Sequence, residues 1–166
     1  HMFALDLVGG FDPGPDQEQA IQFGITTITD TGMDQPTYDL IRGYAETGAL
    51  RLRLNAYLGY TTNCGEPLGD WWKAYPPNTQ VAHNFTIRGI KIFTDGGSCK
   101  VPAVSVPYPS GSLGDLFFTQ DQLNAIVAEV QGASFQAAIH ALGDRAVEET
   151  QNAIAAALNG QPNTYR

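Results

Sequence analysis

Four runs of β-branched and apolar residues alternate with stretches of helical periodicity, and this alternation most narrows the folds open to the chain. Residues 16–23 read as a short helical piece stopped by Gly24, and GITTITD follows at once as a strand. Asp34 and Pro36 open a helix carrying Leu40, Ile41, Tyr44 and Ala45 on one face, with Gly48 at its terminating position. RLRLNAYL, residues 51–58, is the second strand and IRGIKIFTD the third. Thr119 and Gln122 spell a capping box for a helix presenting Leu123, Ile126, Val127 and Val130 to a core. FQAAIHALGD then reads as a strand running into a turn, and 145–158 as an Ala-rich helix ended by Asn159-Gly160.

In one domain this order implies parallel strands joined by right-handed crossovers. No GxGxxG or GxxxxGK[ST] follows any strand, so the phosphate cradles of nucleotide-binding α/β sheets are missing. Two long connections, 59–88 and 96–118, both leave the C-terminal ends of strands, the face on which (β/α)8 barrels build their sites. The expected fold class is therefore α/β, a partial (β/α)8 TIM barrel of about four parallel strands with flanking helices. A complete barrel takes about 250 residues. The 166 residues here would correspond to roughly its second to fifth units.

A hydrophobic content of 43% suffices for one domain with a real core, and a net charge of −8 without any Lys/Arg cluster argues against nucleic-acid and anionic-membrane partners. No apolar run reaches the roughly 18 residues of a membrane span. His1-Met2 reads as the remnant of a cleaved tag, leaving 3–166 as the barrel segment. Cys64 and Cys99 can form at most one bridge, sit in no CxxC spacing and read as free thiols in loops; the expected location is cytoplasmic.

Alternation along GIKIFTD puts Lys91, Phe93 and Asp95 on one face and Ile90 and Ile92 on the other. With the isoleucines toward the helices, Lys91 points into the barrel. A buried lysine has a carboxylate partner, a depressed pKa suited to Schiff-base chemistry, or a covalent modification such as carbamylation. A fourth reading is an ammonium that snorkels to the strand end or pairs with Asp95. His140 ends its strand opposite Ile139, where a histidine is a ligand, an acid/base or a hydrogen-bonded core group. Asp144 reads as a helix cap or as a partner to a ligand rather than a ligand itself. His83 falls in a long loop, where a solvated role is the default. Trp71, Trp72 and Tyr75 either wall a substrate site or pack their loop onto the barrel. The Pro/Gly/Ser-rich run 100–115 is a lid or a disordered surface loop.

GIKIFTDGG followed by IHALGDRAV resembles the metal-dependent amidohydrolase superfamily, in particular amidohydrolase family 3, the YtcJ-like hydrolases that include N-substituted formamide deformylases. GITTITDTG fits the second strand of that family. The resemblance implies hydrolysis of carbon–nitrogen bonds other than peptide bonds, in small amide- or formamide-type substrates. It implies a divalent metal, expected to be zinc, held by a carbamylated Lys91 and by His140; Asp95 and Asp144 are candidate supporting groups from their positions beside them. The family's HxH of strand one, histidine of strand six and general-base aspartate of strand eight are not in this chain. The segment is accordingly expected to be a fragment that is inactive alone, holds no metal tightly, and self-associates through exposed strand edges. A Schiff-base aldolase-like barrel using Lys91, or a non-catalytic half-barrel module, are the alternative readings.

Overall fold

The structure is a computed structural model that describes residues 13–97 and 99–163; His1-Met2, read above as a tag remnant, and residues 164–166 lie outside the described residues. Its elements alternate as the sequence suggests: α1 (Pro13–Gln22), β1 (Thr27–Met33), α2 (Gln35–Glu46), β2 (Arg53–Gly59), β3 (Gln80–Ala82), β4 (Phe85–Phe93), α3 (Gln120–Gly132), β5 (Gln136–His140) and α4 (Asp144–Leu158). Strands β1, β2, β4 and β5 lie side by side and all parallel. This is the expected arc of a (β/α) barrel.

The one strand that sequence pattern missed is β3. It pairs antiparallel with the first residues of β4, through Gln80 opposite Thr86 and Ala82 opposite Phe85, while β5 pairs with the last residues of the same strand. A three-residue strand carries too few alternations to stand out from the irregular connection around it. His83 is exposed in the turn between β3 and β4, at the far end of β4 from Lys91, in keeping with a solvated role.

Leu54, Ala56 and Leu58 of β2, and Phe85, Ile87, Ile90 and Ile92 of β4, form the helix-facing core, joined by Leu123, Ile126, Val127 and Val130 of α3. The capping box is present: Thr119 accepts from the Gln122 N–H, and the Gln122 side chain accepts from the Thr119 N–H. On α2 the buried stripe is Tyr38, Ile41 and Ala45, whereas Leu40 is 37% exposed. Tyr38 is one turn before Ile41, and its ring meets Tyr75 at 4.8 Å and Phe85 at 5.6 Å; the larger aromatic payload decides which flank of the helix faces inward. Among the described residues no helix is long and apolar enough to cross a membrane.

The opposite, inner face of the sheet is polar and half-exposed. Tyr57 of β2 reaches across β4 and donates its hydroxyl hydrogen to Gln136 Oε1 of β5 at 2.6 Å. It passes directly over Gly89. A Cβ on Gly89 would lie 2.2 Å from the Gln136 carbonyl oxygen and 2.5 Å from the Tyr57 ring. Gly89→Ala should therefore force the strand or the ring aside and lower stability by about 2 to 3 kcal/mol, as overpacking of a fixed site does. Chemical denaturation measures this, and a loss under about 0.5 kcal/mol, the range of ordinary surface substitutions, would contradict the geometry.

Candidate functional site

The register between β4 and β5 places Lys91 opposite Ala138 and Phe93 opposite His140. With a period of two, Lys91, Phe93, Ala138 and His140 share the inner face, at the C-terminal ends of adjacent parallel strands. Ile90 and Ile92 are fully buried on the other side. The sequence reading thus located both residues on the intended face and end.

Lys91 is half-buried, and among the described residues its ammonium makes no ion pair or hydrogen bond. It rests over the Phe93 ring, 4.5 Å from the centroid. Burial pushes its pKa below the ordinary lysine value. Its surroundings are small: Ala138 stands opposite on β5, and a Cβ on Gly32 would come within 3.8 Å of the Lys91 Cγ. The pairing with Asp95 left open by the sequence does not occur.

Asp95 is instead fully buried beyond the strand end. Its carboxylate accepts three backbone N–H groups: Leu142 at 2.9 Å on Oδ1, and Ala103 at 3.0 Å and Gly143 at 2.7 Å on Oδ2. His140 Nε2 is 3.7 Å from Oδ1 and 3.4 Å from the Gly96 carbonyl oxygen. Both neighbours of Nε2 are acceptors, which favours the tautomer with hydrogen on Nε2 and leaves the Nδ1 lone pair free to bind. The His140 ring lies 5.2 Å from that of Phe93, and its side chain is 30% exposed.

Asp144 does not cap α4 with its side chain. Gly143 occupies that position, and Asp144 accepts from the Ser105 N–H at 2.8 Å and from the Ser105 hydroxyl. These hydrogen bonds hold the exposed Asp144 carboxyl below its usual pKa. The carboxylate ties the connection after β4 to the start of α4. Within that connection Val104 N–H donates to Leu113 O and Tyr108 N–H to Ser112 O. Trp71, Trp72 and Tyr75 pack their loop onto the fold: Trp72 is 1% exposed and meets Phe135 edge-on at 5.7 Å. A groove of about 130 Å³ lined by Val127, Phe135, Ile154 and Ala157 opens between α3 and α4, away from this chemistry.

Cys64 and Cys99, expected as free thiols, form a disulfide. They are 35 residues apart in sequence but lie in the connections after β2 and β4, which are neighbouring strands, and their Cα atoms come within 5.7 Å. Spacing alone carries no signal for such a pair; strand order supplies it.

Among the described residues no three His, Cys, Asp or Glu side chains converge as a metal site. Lys91 and His140 fit as a partial donor set, with one free imidazole nitrogen and one amine that becomes an anionic oxygen donor only after modification.

A profile described as the amidohydrolase family matches residues 17–166. The exoenzymes regulatory protein AepA of Pectobacterium carotovorum subsp. carotovorum is 34% identical over 84 residues, 50% of this chain and 18% of that protein. The crystal structure of an uncharacterized metal-dependent hydrolase from Pyrococcus furiosus superposes with a TM-score of 0.71 at 20% identity, covering 87% of this chain and 30% of its own. One from Pyrococcus horikoshii OT3 gives 0.68 at 21%, covering 83% and 28%. The chain spans less than a third of each of these proteins.

An isolated half-buried ammonium with no carboxylate partner predicts how Lys91→Met will behave. Below its depressed pKa the folded chain bears the burial penalty; between that pKa and the ordinary value of 10.5 the unfolded chain binds more protons, so stability rises with pH. Lys91→Met should abolish that rise and, because water screens a half-exposed group, change stability at pH 7 by under about 1 kcal/mol. Urea melts from pH 7 to 11 decide it, and a loss above about 3 kcal/mol would mean that a partner holds the charge.

Proposed function

The chain belongs to the amidohydrolase family, and from that premise we propose that it forms part of the barrel of a metal-dependent hydrolase acting on carbon–nitrogen bonds other than peptide bonds, with Lys91 and His140 in the metal centre. The observation that carries the reading is the pairing of a Lys91 that makes no ion pair among the described residues and rests over Phe93 beside Ala138 and Gly32 with a backbone-oriented His140 across one strand boundary. Burial favours the neutral amine, whose lone pair adds to CO₂ with release of one proton, giving a carbamate. That carbamate oxygen and His140 Nδ1 would hold a divalent ion, with zinc as the expected metal. When bound, such an ion lowers the pKa of water and polarises an amide carbonyl.

The residues of this chain then have separable tasks. His140 presents Nδ1 because its other nitrogen faces Gly96 and Asp95. Asp95 is the supporting group, holding the turn after His140 through Leu142 and Gly143. Asp144, engaged with Ser105, supports the rim rather than the ligands. The base that takes the proton of water is expected from outside this segment. A small amide or formamide is the substrate class. With only part of a donor set, the chain alone should be silent and should leave Lys91 unmodified. With the outer edges of β1 and β5 unpaired among the described residues, it should also self-associate.

A second reading rests on the same depressed lysine: a neutral Lys91 amine is also the nucleophile of Schiff-base chemistry. The two separate cleanly in a longer protein that carries this segment. Under the metal reading, chelation abolishes amide hydrolysis reversibly, and borohydride traps no substrate on Lys91. There His140→Ala should lower turnover by more than the roughly 10- to 100-fold that loss of a supporting partner costs. Metal-independent turnover with borohydride trapping on Lys91 would replace this reading with the Schiff-base one. For the chain alone, near-stoichiometric zinc with turnover lost in His140→Ala would overturn the expected silence.

A further inference from the structure

The Cys64–Cys99 disulfide joins the tips of two short excursions that are each pinned at their bases. In the connection after β2, buried Thr61 bridges Pro67 and Leu68 N–H donates to Tyr60 O at 3.0 Å, bracketing residues 62–66. Within that bracket the chain is bonded to itself: Thr62 N–H donates to Glu66 O at 2.8 Å and Gly65 N–H to Thr62 O at 3.1 Å. In the connection after β4, Asp95 and Ala103 are locked to each other by the carboxylate, bracketing 96–102. Here the situation is the reverse. No hydrogen bond donated by the backbone N–H groups of Gly97, Cys99 or Lys100 joins them to another described residue.

The second excursion is also the one that touches His140. Gly96 O is the carbonyl facing Nε2, and a Cβ on Gly97 would stand 3.6 Å from that nitrogen. The self-bonded turn 62–66 is therefore a fixed post, and the bond to Cys99 ties to it a segment otherwise held by the Lys100 ammonium over the Phe117 ring at 5.0 Å and by Val101 O accepting from Asp115 N–H at 3.2 Å.

We propose that the Cys64–Cys99 bond is a redox-sensitive strap that fixes Gly96, Gly97 and the stretch 99–101 against His140. A dithiol reductant opens it by exchange: its thiolate attacks one sulfur, the S–S bond breaks, Cys64 and Cys99 leave as thiols, and the reductant ends as its own disulfide. The expected consequence is local, because Asp95 and Ala103 still anchor the segment on either side. The strap stands on loop geometry and would operate whatever reaction the face supports.

The test is hydrogen exchange and ¹⁵N ring spectroscopy of His140 on the whole chain, before and after reduction by dithiothreitol, with thiol titration at each stage. Without reductant no thiol should titrate. After reduction two should appear, amides of Gly96, Gly97 and the stretch 99–101 should exchange about tenfold faster or more, the His140 ring signals should shift or broaden, and β2 and β4 amides should keep their protection. Cys64→Ser/Cys99→Ser should match the reduced protein and ignore the reductant; if that variant does not fold, in-place reduction carries the test. The proposal is overturned by two thiols in the unreduced protein, by unchanged loop exchange and His140 signals after full reduction, or by loss of strand protection together with the loop. None of these outcomes depends on metal or turnover, so failure of the strap and failure of the hydrolase reading are distinguishable.

Discussion

The buried carboxylate of Asp95 is the constraint on which the C-terminal face of this sheet depends. A fully desolvated charge survives only if its lone pairs are satisfied, and hydrogen bonds to charged groups contribute about 1.5 to 3 kcal/mol each. Asp95 meets that demand with backbone donors alone, taking Ala103 from one connection and Leu142 and Gly143 from the next. Because the donors belong to the main chain, they fix backbone positions. The turn after His140, the first residues of α4 and the base of the connection after β4 are held at one point. Gly143 is glycine for the same reason: a Cβ there would lie 1.8 Å from Ala103 O.

That commitment explains why Asp95 does not pair with Lys91. The alternation that puts Asp95 on the lysine's face stops at Phe93. Thr94 leaves the strand pattern, donating both its N–H, at 3.0 Å, and its hydroxyl, at 2.6 Å, to His140 O. Asp95 is thereby carried past the strand end toward the turn after β5. The lysine keeps the face of Phe93, and a ring quadrupole offsets only part of the loss of water around an ammonium. Proximity in sequence would have suggested an ion pair; the carboxylate is saturated by backbone before the lysine can compete.

The features legible in the sequence are those governed by periodicity or by a local hydrogen-bond pattern. The parallel strands, the α3 capping box and the common face of Lys91 and His140 all follow from repeats of two or 3.6 residues and from a three-residue spacing. What escaped depends on elements distant in sequence. The cysteines become neighbours only once β2 and β4 pair. Asp95 acquires its role only when two connections meet at one carboxylate. Leu40 loses its place on the buried flank because Tyr38 finds Tyr75 and Phe85, residues that sequence pattern assigns to other elements. Asp144 has the composition of a helix cap, yet Ser105 from another connection claims its side chain.

The inner face thus has three levels with different tolerance for change. At the bottom, Tyr57 and Gln136 close over Gly89 with no space for another atom. At the top, His140 is set by backbone that Asp95 fixes and by a segment that the disulfide restrains. Lys91 lies between them, with Ala138 beside it and Gly32 near its stem, so the middle level has room that the other two lack. Burial disfavours the ammonium there, so the neutral amine is reached more easily than on a solvated lysine. Among the described residues Lys91 makes no salt bridge, and that lack originates one strand-end away, in the saturation of Asp95 by backbone donors.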